Sequence, residues 1–515
     1  MVRTSFWSEV GVSSEHDPLK KMGWHVKNKA PARSTTILFI LILFFGVYMY
    51  SNYCIDSNLL SRSTPAPVNN QIVQDQKSTF KRIEIPLNCS AGKLTRTCPT
   101  NYPENVGEFA STTECPNYFR WIHEDLLPWK NTGITLDMVE SAKRTANFRL
   151  TILDGKAYME MYMKSFQSRD MYTIWGILQL LRRYPGKLPD LDLMFDCVDW
   201  PVIKTSDYQG PNATSPPPLF RYSGNAETLD IVFPDWSFWG WPEINIKPWN
   251  ILSKEIQEGN RNTKWIDRNK YAYWKGNHFV SPNRRKFIKC NVSAKNDWNA
   301  RLYAQDWRSE TLKGYQNSNL ATQCTHRYKI YIEGQAWSVS EKYILACDSP
   351  TLLIKPIYYD FFTRGLVPMQ HYWPIKANDS CRSIKFAVDW GNDHIEKVQA
   401  IGRAASNLMH EGLKMDNVYD YMFHLLNEYA KLLRYKPTIP PKAVNICSET
   451  LACQADGTAK RFMMESMVKS PSDSGPCTLP PPFDPPDLQD LLRKNDDSIK
   501  EVEMLEGKFW ENQPK

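Results

Sequence analysis

The sequence predicts an α/β fold with mostly parallel sheets, divided between two doubly wound domains. Three observations lead there. From about residue 125 to 436, short period-two apolar runs alternate with longer segments of helical period, the pattern of strands joined by crossover helices. The chain has 515 residues, 42% of them hydrophobic, which is enough for more than one core. No repeat of fixed period interrupts the alternation, which excludes a solenoid or propeller.

The elements follow in chain order. MYTIWGILQLLRRY, Met171 to Tyr184, has helical spacing, and DLDLMFDCVD, Asp190 to Asp199, alternates as a strand. KYAYWKG is an aromatic strand, with Gly276 and Asn277 suited to a tight exit. Ser281 is a good N-cap and Pro282 a good first helical residue, so a helix begins in SPNRRKFIK. RYKIYIEG is a strand ending at Gly334; QAWSVSEKYILACD is helical and TLLIKP is a short strand. Val418, Met422, Leu425, Leu426, Tyr429 and Leu432 form one stripe of a long helix that Pro437 stops.

Outside this body the chain changes character. Residues 35–53, beginning TTILFILILFFGVYMY, are almost wholly apolar and uncharged, close to the ~20 residues that cross a hydrocarbon core. Lys20, Lys21, Lys27, Lys29 and Arg33 precede the stretch, and the next basic residue after it is Arg62. That asymmetry predicts a single-pass anchor with residues 1–34 as a cytosolic tail. Residues 54–85 are a polar stem, 86–124 a Cys-containing N-terminal subdomain, and 437–515 a Pro-rich, Cys-containing tail of irregular structure. All twelve Cys, and sequons at Asn88, Asn212, Asn291 and Asn378, follow the apolar stretch, which suits an oxidising, glycosylating lumen. The net charge is only +7 and no basic tract is interleaved with aromatics, which excludes nucleic acid as a partner class.

Four segments could carry chemistry. In YAYWKGNHFVSPNRRKFIKC, a strand, turn and helix start bring backbone N–H groups together with Arg284, Arg285 and Lys286. Cations there oppose the helix dipole, a cost that makes sense if an anion binds; a solvated basic helix start reads the same way. The turn after Gly334 would present the amides of Gln335 to Ser340. Asp199, in MFDCVDWP, lies at the carboxyl end of a strand and suits a general base, with Asp196 as competitor. FPDWSFWGWPEINIKPW offers Trp236, Trp239 and Trp241 as flat apolar walls, with Glu243 as a hydroxyl partner, or else a packed aromatic loop.

Taken together, YWKGN and SPNRR, IEGQAWSVSEKYILACDSPTLLI, VDWP, WSFWGWPE and YYDFFTRGLVPMQHYWPI resemble the CAP10 or Rumi-like family. These are glycosyltransferases of family 90 and include protein O-glucosyltransferases. The resemblance covers about residues 110 to 435, and its motifs keep the family's order. It implies a GT-B fold, two Rossmann-like domains facing a cleft, with an acceptor half at about 125–245 and a donor half at about 246–436. It implies an inverting transfer of glucose or xylose from a UDP-sugar to a hydroxyl of a luminal protein or glycan, with no tightly bound cofactor and no metal required. By motif, Asp199 would be the base, Asn277 and Arg284 would contact the nucleotide sugar, and Gly334, Gln335, Ala336, Trp337, Ser338, Val339 and Ser340 would form the donor loop.

The chain also departs from that pattern. Ser340 stands where the family loop ends in Arg, with Lys342 nearby. The apolar stretch, and a C-terminal WENQPK without a retention signal, point to a type II Golgi membrane protein. Two other functions fit the residues: a metal-dependent GT-A enzyme using Asp190 and Asp192, and a non-catalytic glycan-binding membrane protein.

Overall fold

The computed structural model describes residues 84–89, 98, 113–210 and 214–512. The expected anchor and cytosolic tail, and nearly all of the stem, lie outside the described residues. Among the described residues no helix is long and apolar enough to cross a membrane. The expectation of a single-pass type II Golgi protein is corrected on this point. The long helices that are seen belong to the globular body, and residues 35–53 lie outside the described residues.

The strands run in chain order as β1 Phe148–Leu153, β2 Lys156–Met161, β3 Leu191–Phe195, β4 Leu219–Arg221, β5 Gly224–Asn225, β6 Ile231–Val232, β7 Asn269–Gly276, β8 Ala300–Ala304, β9 His326–Tyr331, β10 Thr351–Ile354, β11 Tyr358–Tyr359, β12 Trp373–Ile375 and β13 Val444–Ile446. The helices that position the site are α1 Arg169–Arg183, α2 Trp249–Asn262, α3 Pro282–Phe287, α4 Ser340–Leu345 and α5 Met415–Leu432.

One sheet has the order β12-β10-β9-β7-β8, and every pair in it is parallel. Counted from its first strand the order is 2-1-3-4-5, a doubly wound arrangement whose direction reverses between β7 and β9. One face of its strands is apolar and buried, with Trp274, Tyr328, Ile330, Leu352 and Trp373 in one layer.

The other sheet has the order β13-β2-β1-β3-β4-β6 and is mixed. β3, β4 and β6 are parallel, whereas β1 is antiparallel to both β2 and β3. The expectation of mostly parallel sheets therefore fails for half of this one. The reason is local: Asp154 and Gly155 both take positive φ, 48° and 71°, and fold β1 onto β2 as a tight hairpin. A large core with Trp175, Phe195, Phe220, Trp239 and Tyr421 fills the space around this sheet.

The two sheets meet through β5 and β11, which pair antiparallel, and through Lys342, whose Nζ lies 2.9 Å from Asp235 Oδ2. The C-terminal segment differs from its expected irregularity. It holds β13 and helices Ser448–Ala452, Gly457–Ser466 and Pro485–Glu511. Pro485 and Pro486 begin the last of these, where a missing N–H costs nothing. The expected disulfide-tied N-terminal subdomain is also revised. Cys89, Cys98 and Cys115 pair with Cys453, Cys447 and Cys477 of the tail, not among themselves. Cys290–Cys381 and Cys324–Cys347 close loops in the second half, and Cys197 is a buried free thiol.

Helix α1 packs on the Trp236–Trp239 segment so closely that a Cβ on Gly176 would sit 2.5 Å from the Trp239 ring. Alanine would gain about 1 kcal/mol of helix propensity over glycine. The ring is pinned by its Nε1 donating to Tyr419 Oη at 3.0 Å, so overpacking should cost about 3 kcal/mol. Gly176→Ala is therefore expected to lower the urea unfolding midpoint; an unchanged or raised midpoint would refute the packing argument.

Candidate active site

The reversal point between β7 and β9 is where an open parallel sheet leaves room for a ligand, outside the strands' carboxyl ends. Arg284 bridges those two ends. Its Nη1 donates to Asn277 O at 3.3 Å, beyond β7, and its Nε and Nη2 donate to Glu333 O and Ile332 O, both at 2.8 Å, beyond β9. Ser281 caps α3 as expected, its Oγ accepting from Arg284 N at 3.3 Å, with Pro282 first in the helix. The helix is only six residues long, so its dipole is small and the case for an anion rests on the guanidinium.

Arg284 is buried, and among the described residues no carboxylate pairs with it. Burial lowers its pKa to about 10, against weak opposition from Tyr331 and Glu333. An unpaired buried cation is unfavourable unless an anion joins it. Asn277 Oδ1 caps Phe279 N at 2.9 Å, so its own side-chain oxygen is occupied by the turn. Arg285 donates to Phe279 O on the exposed side and takes no part.

The loop after β9 supplies further donors. Gln335 is exposed and Ala336 and Trp337 are buried, yet their three main-chain N–H groups make no hydrogen bond among the described residues. A Cβ on Gly334 would meet Trp337 O at 3.2 Å, so a side chain there would crowd the fold-back. Tyr331 Oη accepts from Ser338 N at 3.1 Å, and Ser338 Oγ accepts from Arg284 Nη2 at 3.2 Å. Ser338 and Ser340 hydroxyls lie 2.9 Å apart, with half-buried Val339 between them. Lys342 does not replace the cation missing at Ser340: its ammonium is buried against Asp235 and Ser237, each at 2.9 Å.

Asp199 follows β3, at the carboxyl end of the parallel part of the first sheet. It is half-buried, and Arg169 Nη1 donates to its Oδ1 at 2.5 Å. The same Nη1 donates to Cys197 O at 3.3 Å, and the guanidinium lies 4.4 Å from the Trp236 ring centre. Ser223 Oγ, beyond β4, holds Asp199 O at 3.0 Å. The competitor Asp196 is buried in an ion pair with Arg221 and accepts from Val198 N at 2.9 Å, so it is spent on structure. Arg169 was missed in the sequence. Its one signal is a cation in the first turn of a helix, against the dipole. Trp337 packs edge-on against Trp236 with ring centres 6.3 Å apart, which brings the Gln335–Ser340 loop up to the support of Asp199.

The aromatic segment divides. Trp239 is fully buried, bonded to Tyr419 and packed on α1, so it is a core residue and not a sugar platform. Trp236 is also buried, at 1% exposure, and serves as the floor under Arg169. Trp241 and Glu243 stay partly open. Trp241 Nε1 donates to Gln167 Oε1 at 2.8 Å, and Glu243 Oε2 accepts from Ser168 Oγ at 2.9 Å. Both thus tie to the two residues preceding Arg169.

Asp190 and Asp192 do not form a metal site. Asp192 is fully buried in a two-point ion pair with Arg149, at 2.7 and 2.6 Å, and also accepts from Tyr435 Oη. Asp190 accepts from Asp154 N in the hairpin turn. Among the described residues one trio has metal-like spacing, Cys115, His424 and Cys477, but its two sulfurs are joined as a disulfide. Of the sequons, Asn88 and Asn378 are exposed and Asn212 lies outside the described residues. Asn291 is half-buried, and its amide bonds both the N–H and the carbonyl of Leu302.

Glu333, beside Arg284, gives a pH prediction. Burial raises its pKa from 4.5 to about 7, although Oε1 accepts from Tyr358 N and Ile357 N at 2.6 and 2.8 Å. The folded state then keeps a proton that the unfolded chain loses, so this group's stabilisation is complete below pH 4.5 and is lost as pH rises through about 7. Glu333→Gln should flatten the decline in thermal midpoint across that window. An identical decline in variant and wild type would show that Glu333 does not titrate there.

Comparison with known proteins identifies the family. The family model described as Glycosyl transferase family 90 matches residues 110–506, past the 435 at which the sequence motifs end. Protein O-glucosyltransferase 1 of Bos taurus is 27% identical over 349 residues, covering 64% of this chain and 84% of that protein. The Homo sapiens protein of the same name is 26% identical over the same shares. The O-glucosyltransferase rumi homolog of Anopheles gambiae is 25% identical, covering 63% of this chain and 81% of its own. The chain belongs to glycosyl transferase family 90 and is a glycosyltransferase.

Proposed function

We propose that the chain transfers a sugar, glucose or xylose, from a UDP-sugar to a hydroxyl of a protein or glycan acceptor with inversion, in a GT-B arrangement. The observation that carries this reading is Arg284, a buried cation without a carboxylate partner among the described residues, which joins the carboxyl ends of β7 and β9. A diphosphate would supply the missing charge, and the free amides of Gln335, Ala336 and Trp337 would add donors of the kind that cradle phosphate oxygens. Relatives named as protein O-glucosyltransferases support glucose and a protein acceptor.

Asp199 then takes the proton of the acceptor hydroxyl as its oxygen attacks the sugar's anomeric carbon. The bond from that carbon to the UDP oxygen breaks in the same step, and the electron pair leaves with UDP. Arg284 and the loop amides stabilise the charge growing on the leaving diphosphate. Arg169 orients the Asp199 carboxylate and is itself held by Cys197 O and Trp236. The negative charge of the donor is met by this chain's own groups, and no step is assigned to a metal.

Asp199→Asn should lower kcat by roughly 10² to 10⁴-fold while UDP affinity stays near wild type. Full turnover in that variant would sink the base assignment. Arg284→Ala should weaken UDP binding by about tenfold or more, since a charge-assisted bond to the diphosphate is lost. Unchanged UDP binding, measured by calorimetry, would undo the donor site. Arg169→Lys should reduce kcat with little change in the donor KM, whereas equal loss in both would make Arg169 merely structural.

A further inference from the structure

A cleft of about 260 Å³ opens between Asn245–Glu255 and the turn Tyr315–Leu320. We propose that it is an acceptor subsite for one uncharged sugar unit, which makes the acceptor a glycan or a protein already bearing one. The inference rests on the glycosyltransferase reading above for its link to catalysis, but not for the binding itself.

Its position comes first. Tyr315 Oη donates to Glu243 O at 2.8 Å. The Glu243 carboxylate accepts from Ser168 Oγ at 2.9 Å, and the next residue, Arg169, holds Asp199 at 2.5 Å. On its other side the turn is tied to the donor strand, where Lys275 Nζ donates to Asn317 O. The turn is thus strung between the strand end that carries Gly276 and Asn277 and the segment that supports the base.

The cleft is also preformed. Asn245 and Tyr315 both lie in the left-handed region, with φ of 53° and 62°. That is tolerable for asparagine and costly for tyrosine. The turn at Tyr315 is braced by buried Glu310, whose carbonyl accepts from Tyr315 N at 2.8 Å and whose two carboxylate oxygens accept from Asn317 N at 3.1 Å and Nδ2 at 3.3 Å.

Its chemistry selects the ligand. Gln316 offers a whole amide, Asn245 and Asn319 their amide N–H groups, and Ser318 its hydroxyl oxygen as acceptor, since Asn319 Oδ1 caps Ala321 N, Asn245 Oδ1 accepts from Arg461 and Ser318 Oγ donates to Tyr315 O. Donors and acceptors of this mix suit sugar hydroxyls. The two charged lining residues, Lys247 and Glu255, neutralise each other at 2.5 Å, so no unpaired charge awaits a phosphate or an acidic peptide. Buried Leu252 and Ile246 give an apolar floor. No lining residue belongs to a strand, so there is no sheet edge on which a peptide could add as a strand.

The test uses the full chain, with cellotetraose and xylotetraose as probes in ligand-observed saturation-transfer NMR. Wild type should bind at least one probe. Ser318→Trp, which fills the cleft, should abolish the signal, and Gln316→Ala, at an exposed position, should weaken binding about threefold to tenfold through a lost hydrogen bond. Retained UDP binding by both variants serves as the control for folding. Equal probe binding by wild type and both variants would overturn the proposal, as would no binding of either probe. So would a raised KM in Ser318→Trp for a bare peptide acceptor alone, which would make the cleft a peptide seat. If the cleft behaves as expected but Asp199→Asn is fully active, the subsite stands and the catalytic reading falls.

Discussion

The candidate site depends on one buried ion pair, Lys342 with Asp235, which ties the start of α4 to the segment that follows β6. Both side chains are 1% exposed. Taking two charges out of water costs several kcal/mol per ion, so such a pair survives only with its geometry complete. Here the ammonium uses all three protons, on Asp235, Ser237 Oγ and Val339 O. Burial lowers the Lys342 pKa, but Asp235 together with Tyr343 and Asp360 outweighs that and holds it above its ordinary value. An apolar contact at the same place would tolerate sliding, whereas a satisfied ion pair allows one registry. That registry positions the loop leading into α4, and the loop positions Trp337 against Trp236.

A short chain of contacts then runs from the Gln335–Ser340 loop to Asp199: Trp337 on Trp236, Trp236 under Arg169, Arg169 on Asp199. Each link is rigid for a physical reason. The indoles are buried and packed edge to face, and the guanidinium is stacked and bonded to a main-chain carbonyl. Two carboxylates that look equivalent in sequence are separated by this frame. Asp196 points into Arg221 in the core, while Asp199 is partly open to solvent.

Much of the parallel half was legible because each strand and helix start there carries a local signal. Ser281 and Pro282 mark α3, Gly334 ends β9, and Gly276 ends β7, all close to where the structure has them. The mixed half was harder to read, although its signal was present: Asp154-Gly155 between two apolar runs is a strong hairpin cue that was passed over. The proline-rich tail misled because proline forbids a helix interior but not a helix start. Trp239 misled because a tryptophan in an irregular segment gives no sign of which side of the chain it faces. Arg169 could not be paired with Asp199 from spacing, since the two are 30 positions apart with a strand between them.

Three disulfides join residues 89, 98 and 115 to residues 453, 447 and 477, across separations of 364, 349 and 362 residues. During synthesis the earliest of these cysteines must wait, unpaired, until nearly the whole catalytic body has been made. The enzyme is therefore sealed from both ends at once and late. Loss of the last segment would leave thiols stranded at the other end of the chain, even though that segment lies far in sequence from every residue assigned to the chemistry.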